Sequence, residues 1–290
     1  MTGAFDSLLC DLENLWSSSL SPSDEDLKEF SDNVSKAIVS SLSRFSSDAK
    51  TEEPRVVLRM SNIGKPARQL WYQHKDKRTE KDVLPYSLLL KFLYGEILEE
   101  LLVLLIKTAG HSVEERQKEH KVDGVLGHQD ARVDGVLVDF KSASGRSFLK
   151  FKNYTLFDDD PFGYIGQLSG YAQEANDEMA AFVVIDKVSG EIAIMPIHRL
   201  EMIDVKQRVS YLKNTLKKED PPEKCYPDQE DGKSGNRKLA IGCAFCSYKI
   251  ECWADANGGK GLRGFRYSNG IRYLTQVART PEVSEVDVSV

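Results

Sequence analysis

Apolar residues recur every three or four positions in several stretches of the chain, which is the spacing of helices that bury one face. Residues 1–17 and 24–45 show this spacing, and Ser23 is a typical helix N-cap. Residues 86–107 form the longest apolar run, which ends before Gly110 and predicts the longest buried helix. Further helices are predicted at 162–176 and 199–218.

Two apolar stretches on either side of Val188-Ser189-Gly190 have the composition of strands, and residues 112–122 alternate loosely between apolar and polar. Strands are predicted at 112–122, 180–186 and 191–197. Between the first and the second of these, residues 125–144 predict a hairpin, because Asp134-Gly135 is a strong signal for a tight turn. The remaining predictions are built around this hairpin.

The second strand of the hairpin ends in Asp139-Phe140-Lys141. Side chains alternate along a strand, so Asp139 and Lys141 share one face while Phe140 points into the core. The hairpin can bring Asp130 close to Asp139. Two carboxylates can hold Mg²⁺ or Mn²⁺ against a phosphodiester, and a lysine beside them can orient or deprotonate water or neutralise developing charge. A solvated hairpin with outward-pointing charges is the alternative for these residues alone.

The composition is that of a soluble globular protein: 290 residues, 41% hydrophobic and 29% charged, enough for one elaborated α/β domain. The net charge of −6 does not favour nucleic acid on bulk electrostatics, but a metal-dependent nuclease needs acidic residues at its centre and can keep a basic surface local. We see no transmembrane run and no secretory signal, and therefore expect no membrane partner and a cytoplasmic location.

One basic segment, residues 58–75, mixes Lys65 and Arg68 with Trp71 and Tyr72. Cations interleaved with aromatic rings are typical of a surface that contacts phosphates and bases, so Lys65 and Arg68 are candidate DNA contacts. The other interpretation is an ordinary helix start with a buried Trp71.

The chain has five cysteines, and four of them are clustered near the C-terminus. The clustered residues are Cys225, Cys243, Cys246 and Cys252. In a cytosolic protein such clustering favours a metal or iron–sulfur site over disulfides. Four thiolates can hold structural Zn²⁺ or a [4Fe–4S] cluster, and the spacing alone leaves both open. Cys10 lies on the apolar face of the first helix and is predicted to be a buried free thiol.

Four short motifs follow one another in an order and spacing found in a nuclease superfamily. They are Gly95-Glu96-Ile97-Leu98-Glu99-Glu100, Gly127-His128-Gln129-Asp130, Asp139-Phe140-Lys141 and Gln167-Leu168-Ser169-Gly170-Tyr171. The three last cysteines add a C-terminal Cys-x2-Cys-x5-Cys pattern. Over residues 58–253 the chain resembles the PD-(D/E)XK nuclease superfamily, specifically its RecB-like and phage exonuclease branch, some members of which carry an iron–sulfur cluster.

The resemblance implies a role for each matched residue. Asp130, Asp139 and Glu99 would ligate Mg²⁺ or Mn²⁺, with Glu99 at the position where the family has a histidine. Lys141 would position the attacking water. Gln167 would support that lysine and the geometry of the substrate.

At two places the match with the family leaves a choice. Asp134 rivals Asp130 as a metal ligand, but it belongs to the predicted turn. The first cluster cysteine of the family precedes the core, where this chain has none, so Cys225 would supply the fourth thiolate in preference to Cys10.

The resemblance also implies that Tyr171 would line the DNA channel.

The resemblance also implies the architecture and the activity. We expect an α/β fold with a restriction-endonuclease-like core, a central mixed sheet flanked by helices, at 58–219. An N-terminal helical region at 1–57 would precede it and a cysteine-cluster segment at 220–290 would follow.

The implied activity is a metal-dependent deoxyribonuclease, an exonuclease that hydrolyses phosphodiesters of single-stranded or end-containing DNA in a bacterial or phage-infected cell. A structural four-cysteine iron–sulfur cluster would accompany it. A helicase or recombination partner would supply unwinding, because the chain has no helicase motif. The alternative is a non-catalytic DNA-binding or assembly protein on the same fold, with structural zinc.

Overall fold

A computed structural model describes residues 3–46, 58–76 and 86–288. The chain divides into two compact units, Met1–Gly64 with Arg78–Ser210, and Lys65–Lys77 with Tyr211–Val290. We call them the sheet unit and the cysteine unit. The predicted boundary at residue 57 lies outside the described residues, and the three proposed domains stay a prediction.

The helices and strands follow the chain in a mixed order. The helices are α1 Leu8–Asn14, α2 Asp24–Ser46, α3 Met60–Ile63, α4 Ala67–Lys75, α5 Tyr86–Thr108, α6 Arg146–Lys152, α7 Tyr164–Ala175, α8 Val205–Lys217, α9 Ile241–Ala244, α10 Lys249–Cys252 and α11 Ala256–Gly259. The strands are β1 Val113–Glu114, β2 Glu119–Val122, β3 Val125–His128, β4 Ala131–Val133, β5 Val136–Ala143, β6 Met179–Asp186, β7 Ile192–His198, β8 Gln229–Glu230, β9 Arg237–Lys238, β10 Arg263–Tyr267, β11 Gly270–Gln276 and β12 Glu285–Val286.

A five-stranded sheet forms the centre of the sheet unit, in the order β1-β4-β5-β6-β7. Strands β5 and β6 are parallel, while the other neighbours are antiparallel. A parallel pair needs a crossover connection, and the chain between β5 and β6 contains α6 and α7. The predicted α/β class, with a central mixed sheet flanked by helices, is therefore confirmed.

The core lies on both faces of this sheet. On one face, Leu102 and Ile106 of α5 belong to the same buried cluster as Val138 and Phe140 of β5. On the other face the ring of Phe151 in α6 meets Phe182 of β6 edge-on, with centroids 5.4 Å apart. Burial of both faces explains why β5 and β6 read as continuous apolar runs.

The predicted hairpin is confirmed, with Asp134 and Gly135 both at positive φ in the turn between β4 and β5. The single strand predicted at 112–122 is wrong. The chain turns at Glu115 and Gln117, which also have positive φ, and continues as β2, which pairs with β3 in a separate two-stranded sheet. No glycine marks that turn, so the sequence carried no signal for it.

The N-terminal helices form where they were predicted, but one face was wrongly assigned. The Ser23 hydroxyl accepts the backbone N–H of Asp26 at 3.1 Å, which confirms the N-cap of α2. Cys10 was predicted to be buried and is exposed. Short 3₁₀ turns at Ala4–Ser7 and Leu15–Ser17 flank α1. The buried residues of α1 are Leu8 and Leu12, and Cys10, two positions from each of them, lies on the opposite side of the helix.

The cysteine unit has a core of its own, formed by Leu239, Cys243, Trp253, Ala256 and Leu262. Its five-stranded sheet has the order β12-β10-β11-β9-β8. None of the described helices is long and apolar enough to cross a membrane.

Helix α4 belongs to the cysteine unit although it precedes the sheet in sequence. Within this unit the indole N–H of Trp71 donates to the Lys218 carbonyl at 3.0 Å. The ring of Tyr72 stacks on Tyr248 with centroids 5.9 Å apart.

Candidate active site

Strand β5 presents two charged residues on the face opposite Val138 and Phe140. Asp139 and Lys141 are two residues apart, and Lys141 Nζ forms an ion pair with Asp139 Oδ2. Asp139 is completely buried, and neither of its carboxylate oxygens has a hydrogen bond beyond this ion pair. The alternation of the strand places a charge at a position that is otherwise core, which indicates a site and not a solvated surface.

Asp130 reaches the same place because of the hairpin register. Strand β4 begins directly after it, and Ala131 pairs with Val138. Asp130 Oδ2 accepts the backbone N–H of Phe140 at 2.7 Å, which fixes the carboxylate beside β5. The rival residue, Asp134, is used elsewhere: its carboxylate accepts the Ser112 N–H at 3.0 Å and contacts His111 Nδ1 at 2.6 Å.

Helix α5 contributes Glu99. Gln117 Nε2 donates to Glu99 Oε1 at 3.3 Å, and Arg116 Nη2 lies 3.8 Å from the same oxygen. The neighbouring Glu100 is instead tied into a structural ion pair with Arg116 and accepts Asn33 Nδ2 at 3.0 Å. Glu99 thus has longer contacts with its partners than Glu100 has.

The electrostatics of the site show a surplus of negative charge. Burial raises the pKa of Asp130 well above its usual value, and the charge of Asp139 raises it further. Burial likewise raises the pKa values of Asp139 and Glu99. Burial alone would lower the pKa of Lys141, but the charges of Asp139 and Asp130 outweigh it and raise that pKa. Three carboxyls therefore share one ammonium group.

This donor set suits a hard divalent cation. The buried carboxylate of Asp139 has no donor besides the Lys141 ammonium group, and an added positive charge would relieve the repulsion between Asp130 and Asp139. No group of three or more His, Cys, Asp or Glu side chains within the described ranges is arranged to hold an ion. Mg²⁺ commonly uses one or two carboxylates and keeps several waters, so the two aspartates are the fitting protein ligands.

Helix α7 covers the site with one face. Gln167 Nε2 donates to the hydroxyl of Tyr171 at 3.3 Å, so the predicted proximity of these two residues is confirmed. Tyr171 is only 1% exposed, and burial raises its pKa to about 12. A side chain so buried presents no surface to DNA, which contradicts the prediction that Tyr171 lines the channel.

Tyr164, at the start of α7, was not predicted as part of the site. Lys141 Nζ lies 5.1 Å from the centroid of its ring, within the range of a cation–π contact. Tyr164 and Gln167 are three residues apart on one helix face, and Tyr171 is four further on. This spacing is the sequence signal from which Tyr164 could have been predicted as part of the site.

A buried hydrogen-bond network next to the site was also missed. His120 of β2 is 1% exposed, its Nδ1 lies 2.6 Å from Glu174 Oε2, and its Nε2 lies 2.7 Å from Gln129 Oε1. Gln129 Nε2 donates onward to the Glu115 carbonyl at 2.9 Å. Gln129 directly precedes Asp130, so this network fixes the backbone that carries the aspartate.

The clustered cysteines all lie in the cysteine unit and are free thiols. Burial raises the pKa of Cys243 to about 11, and the charges of Cys225, Cys252 and Cys246 raise it as well. Burial likewise raises the pKa of Cys225, and the charges of Cys252 and Cys246 raise it as well. Within the described part of the chain, however, no three of these cysteines are arranged to hold an ion.

Arg68 was predicted as a DNA contact, but its guanidinium is engaged within the cysteine unit. Its Nε donates to Cys252 Sγ at 3.1 Å, and its Nη1 donates to the Pro222 carbonyl. Lys65, the other predicted contact, lies just before α4 in the same unit. Its role stays a prediction.

Several solved structures are similar to this chain at low identity. A phage-related exonuclease from Haemophilus somnus 129PT has 15% identity and a TM-score of 0.40, over 56% of this chain and 94% of that one. A protein described as SSO0001 has 18% identity and a TM-score of 0.40, over 77% and 94%. The alkaline exonuclease LHK-Exo from Laribacter hongkongensis has 16% identity and a TM-score of 0.35, over 52% and 77%.

No protein-family model matches the chain, and no curated protein matches it. At such identities and TM-scores, the function has to be inferred from the site itself.

Proposed function

We propose that this protein is a metal-dependent DNA nuclease of the PD-(D/E)XK type, acting as an exonuclease on single-stranded DNA or on DNA ends. The observation that carries the proposal is the convergence of Asp130, Asp139 and Lys141 at one place on the mixed sheet, with Asp139 buried and contacted by no donor other than the Lys141 ammonium group. A buried charge of this kind is costly unless it has a function.

Asp130 and Asp139 would hold Mg²⁺ or Mn²⁺, with Glu99 close enough to support a ligand water. A bound divalent cation would polarise the scissile phosphodiester and lower the pKa of the attacking water. The raised pKa values of the carboxyls mean that protons compete with the cation, so binding strengthens as the pH rises through those values.

Lys141 acts as a cation and not as a base in this proposal. Its pKa is raised by the two aspartates, so it stays protonated at neutral pH. A protonated lysine can hold the attacking water by donating to it and can neutralise charge that develops on the phosphate. Gln167, on the helix face that carries Tyr164, would support the position of the substrate.

The cysteine unit forms a separate part of the proposal. Cys225, Cys243, Cys246 and Cys252 would hold a structural [4Fe–4S] cluster, with zinc as the alternative. The spacing of the four cysteines in the sequence is the basis of this assignment, and the Arg68 contact to Cys252 Sγ would add a hydrogen bond to one ligand.

The alternative function is a non-catalytic DNA-binding or assembly protein on the same fold. Its DNA contacts would not need a buried acid paired with a lysine, so the ion pair of Asp139 and Lys141 favours catalysis. A helicase or recombination partner stays part of the proposal.

The test is degradation of end-labelled linear single-stranded and double-stranded DNA with Mg²⁺ or Mn²⁺. Wild type is compared with Asp139→Asn, which keeps the shape of the side chain and removes its charge. We expect a rate loss of at least about 100-fold, the size typical of removing one stabilising group from such a site. Asp32→Asn removes an equal charge from an exposed position of α2 in the sheet unit and should leave the rate unchanged.

Equal rates for wild type and Asp139→Asn would overturn the assigned role of Asp139. Absence of degradation with either cation, together with retained DNA binding, would favour the non-catalytic alternative.

A further inference from the structure

The segment that joins α6 to α7 carries exposed aromatic side chains. Phe162 is 55% exposed and Phe157 is 40% exposed. Single exposed apolar side chains are common on protein surfaces, so the position of a ring relative to the site decides whether it has a function. The mechanism proposed above gives these two rings no role.

A continuous line of ring contacts leads from Phe162 to the reactive residues. The ring of Phe162 stacks on Tyr164 with centroids 5.4 Å apart and an interplanar angle of 25°. Tyr164 in turn lies against Lys141 Nζ, which is ion-paired with Asp139. A planar group resting on Phe162 would therefore lie two ring contacts from the ammonium group that faces the scissile phosphate.

The segment that bears Phe162 is held in place by its own polar residues. The Asp160 carboxylate accepts the backbone N–H groups of Gly163 and Ile165, each at 2.9 Å. Lys150 Nζ donates to the Asp159 carbonyl at 2.9 Å and contacts Asp159 Oδ2 at 2.6 Å. The exposed ring thus belongs to a preorganised structure, which lowers the entropy cost of binding a flat ligand on it.

We propose that Phe162, stacked on Tyr164, binds one unpaired nucleobase next to the scissile phosphate. This inference rests on the proposed nuclease function and adds a subsite to it. Every base has a π-face, so stacking tolerates any sequence, but a base inside a duplex has both faces covered. The subsite therefore selects a single strand or a frayed end.

Phe162→Ala removes the outer ring, and Phe162→Trp replaces it with a larger one. All variants are made on Asp139→Asn protein, and binding is measured by fluorescence anisotropy with a labelled single-stranded oligonucleotide. The weakening expected from Phe162→Ala is roughly 5- to 100-fold, as for other base–aromatic stacks. Phe162→Trp should bind at least as tightly as the parent. Phe92→Ala, at an exposed phenylalanine of α5, is the matched control and should change nothing.

A series of oligonucleotides with one abasic residue at successive positions tests the nature of the contact. At one position, the abasic residue should weaken binding to the parent protein as much as the Phe162→Ala substitution weakens binding of the intact oligonucleotide. The same abasic residue should cause no further loss of binding to the Phe162→Ala variant. Equal affinities of Phe162→Ala and the parent for the intact oligonucleotide would overturn the proposal, as would an equal loss in Phe92→Ala or the absence of any DNA binding.

The two proposals fail in different ways. Binding that depends on Phe162, in a protein whose wild type cleaves no DNA with Mg²⁺ or Mn²⁺, would leave the stacking subsite and remove the nuclease. DNA cleavage at a rate unchanged by both Phe162→Ala and the abasic residue would remove the stacking subsite and leave the nuclease.

Discussion

Asp139 is a buried charged residue whose position costs the fold stability. A buried polar group without a hydrogen-bond partner costs about 1–3 kcal/mol, and both oxygens of this carboxylate lack donors apart from the lysine ion pair. Packing alone would be better served by an apolar residue, as Val138 and Phe140 on the opposite face show. The cost at Asp139 is reasonable where a cation and a phosphate complete the site.

The cost of burying a second charged carboxylate, that of Asp130, can be measured from the dependence of stability on pH. Its pKa is raised in the folded protein, so the folded state keeps its proton to higher pH than the unfolded chain does. As pH rises above the ordinary carboxyl value of 3.8, the unfolded chain ionises first, and the folded state loses stability through the interval up to the raised pKa. In a chelator at pH 8, Asp130→Asn should therefore be more stable than wild type, because the variant has no buried carboxyl to ionise.

The advantage of Asp130→Asn should disappear as the pH falls towards 3, below the ordinary carboxyl value, where both states hold the proton. Urea denaturation across pH 3–8 measures it, with Asp32→Asn as the control for loss of one exposed negative charge. Saturating Mg²⁺ should reverse the order, because a cation at about 100 times its Kd adds roughly 2.7 kcal/mol to wild type alone. A constant difference between wild type and Asp130→Asn at every pH would contradict the assignment.

Single residues could be predicted from sequence where one local rule decides their place. Strand alternation placed Asp139 and Lys141 together, and turn chemistry separated Asp134 from Asp130. His120 could not be predicted in this way, because its partners come from α7 and from the end of β3. Such a network depends on tertiary contacts that no local pattern records.

At the scale of elements, helix α7 is fixed against α3 by close backbone packing. A Cβ atom added at Gly166 would lie 2.7 Å from the Cα of Gly64. One added at Gly170 would lie 2.5 Å from Met60 Sδ. Glycines at these positions let α7 approach closely enough to bring Gln167 and Tyr164 over β5.

Two glycines inside helices should respond to alanine with opposite signs. Gly166→Ala places Cβ against backbone atoms that cannot move aside, and we expect a loss of about 1–3 kcal/mol in the free energy of unfolding. In α5, a Cβ at Gly95 meets only Ser142 Oγ at 3.7 Å, an ordinary contact. Gly95→Ala should therefore gain about 0.5–1 kcal/mol from helix propensity.

Guanidinium denaturation shows whether each glycine variant gains or loses free energy of unfolding, and nuclease activity adds a second measurement. Gly166→Ala should lose activity through displacement of α7, whereas Gly95→Ala should keep it. Destabilisation of equal size at both positions would show that helix packing, as described, does not distinguish them.

Long elements were predictable and short ones were not. The helices at 86–107 and 162–176 and the strand pair at 180–197 follow from periodicity sustained over many residues. The two-residue strand β1 and the turn at Glu115 and Gln117 contain too few residues to show a period. The placement of α4 in the cysteine unit depends on contacts with residues more than 140 positions away in sequence.

At the scale of the whole molecule, the two units differ in what stabilises them. The sheet unit buries both faces of a mixed sheet. The cysteine unit has a small core that includes Cys243 itself. Small cores commonly depend on a metal or another cross-link for stability, so we expect this unit to depend on its thiol ligands.

The positions of the three tryptophans make this dependence observable. Trp71 and Trp253 are buried in the cysteine unit, at 8% and 6% exposure, while Trp16 of the sheet unit is 85% exposed. Changes in tryptophan fluorescence on heating therefore report mainly on the cysteine unit, whereas far-UV circular dichroism reports on both units.

Cys246→Ser should lower the fluorescence transition by more than about 10 °C and move the main circular dichroism transition less. Loss of a structural metal site costs several kcal/mol, and each kcal/mol shifts the Tm of a domain of this size by about 4–8 °C. Cys10→Ser, at the exposed cysteine of the sheet unit, is the matched control. Iron with a brown colour, or stoichiometric zinc in colourless protein, identifies the group. Equal fluorescence transitions in both variants, with neither metal bound, would remove the cluster from the proposal and leave the nuclease site as it is.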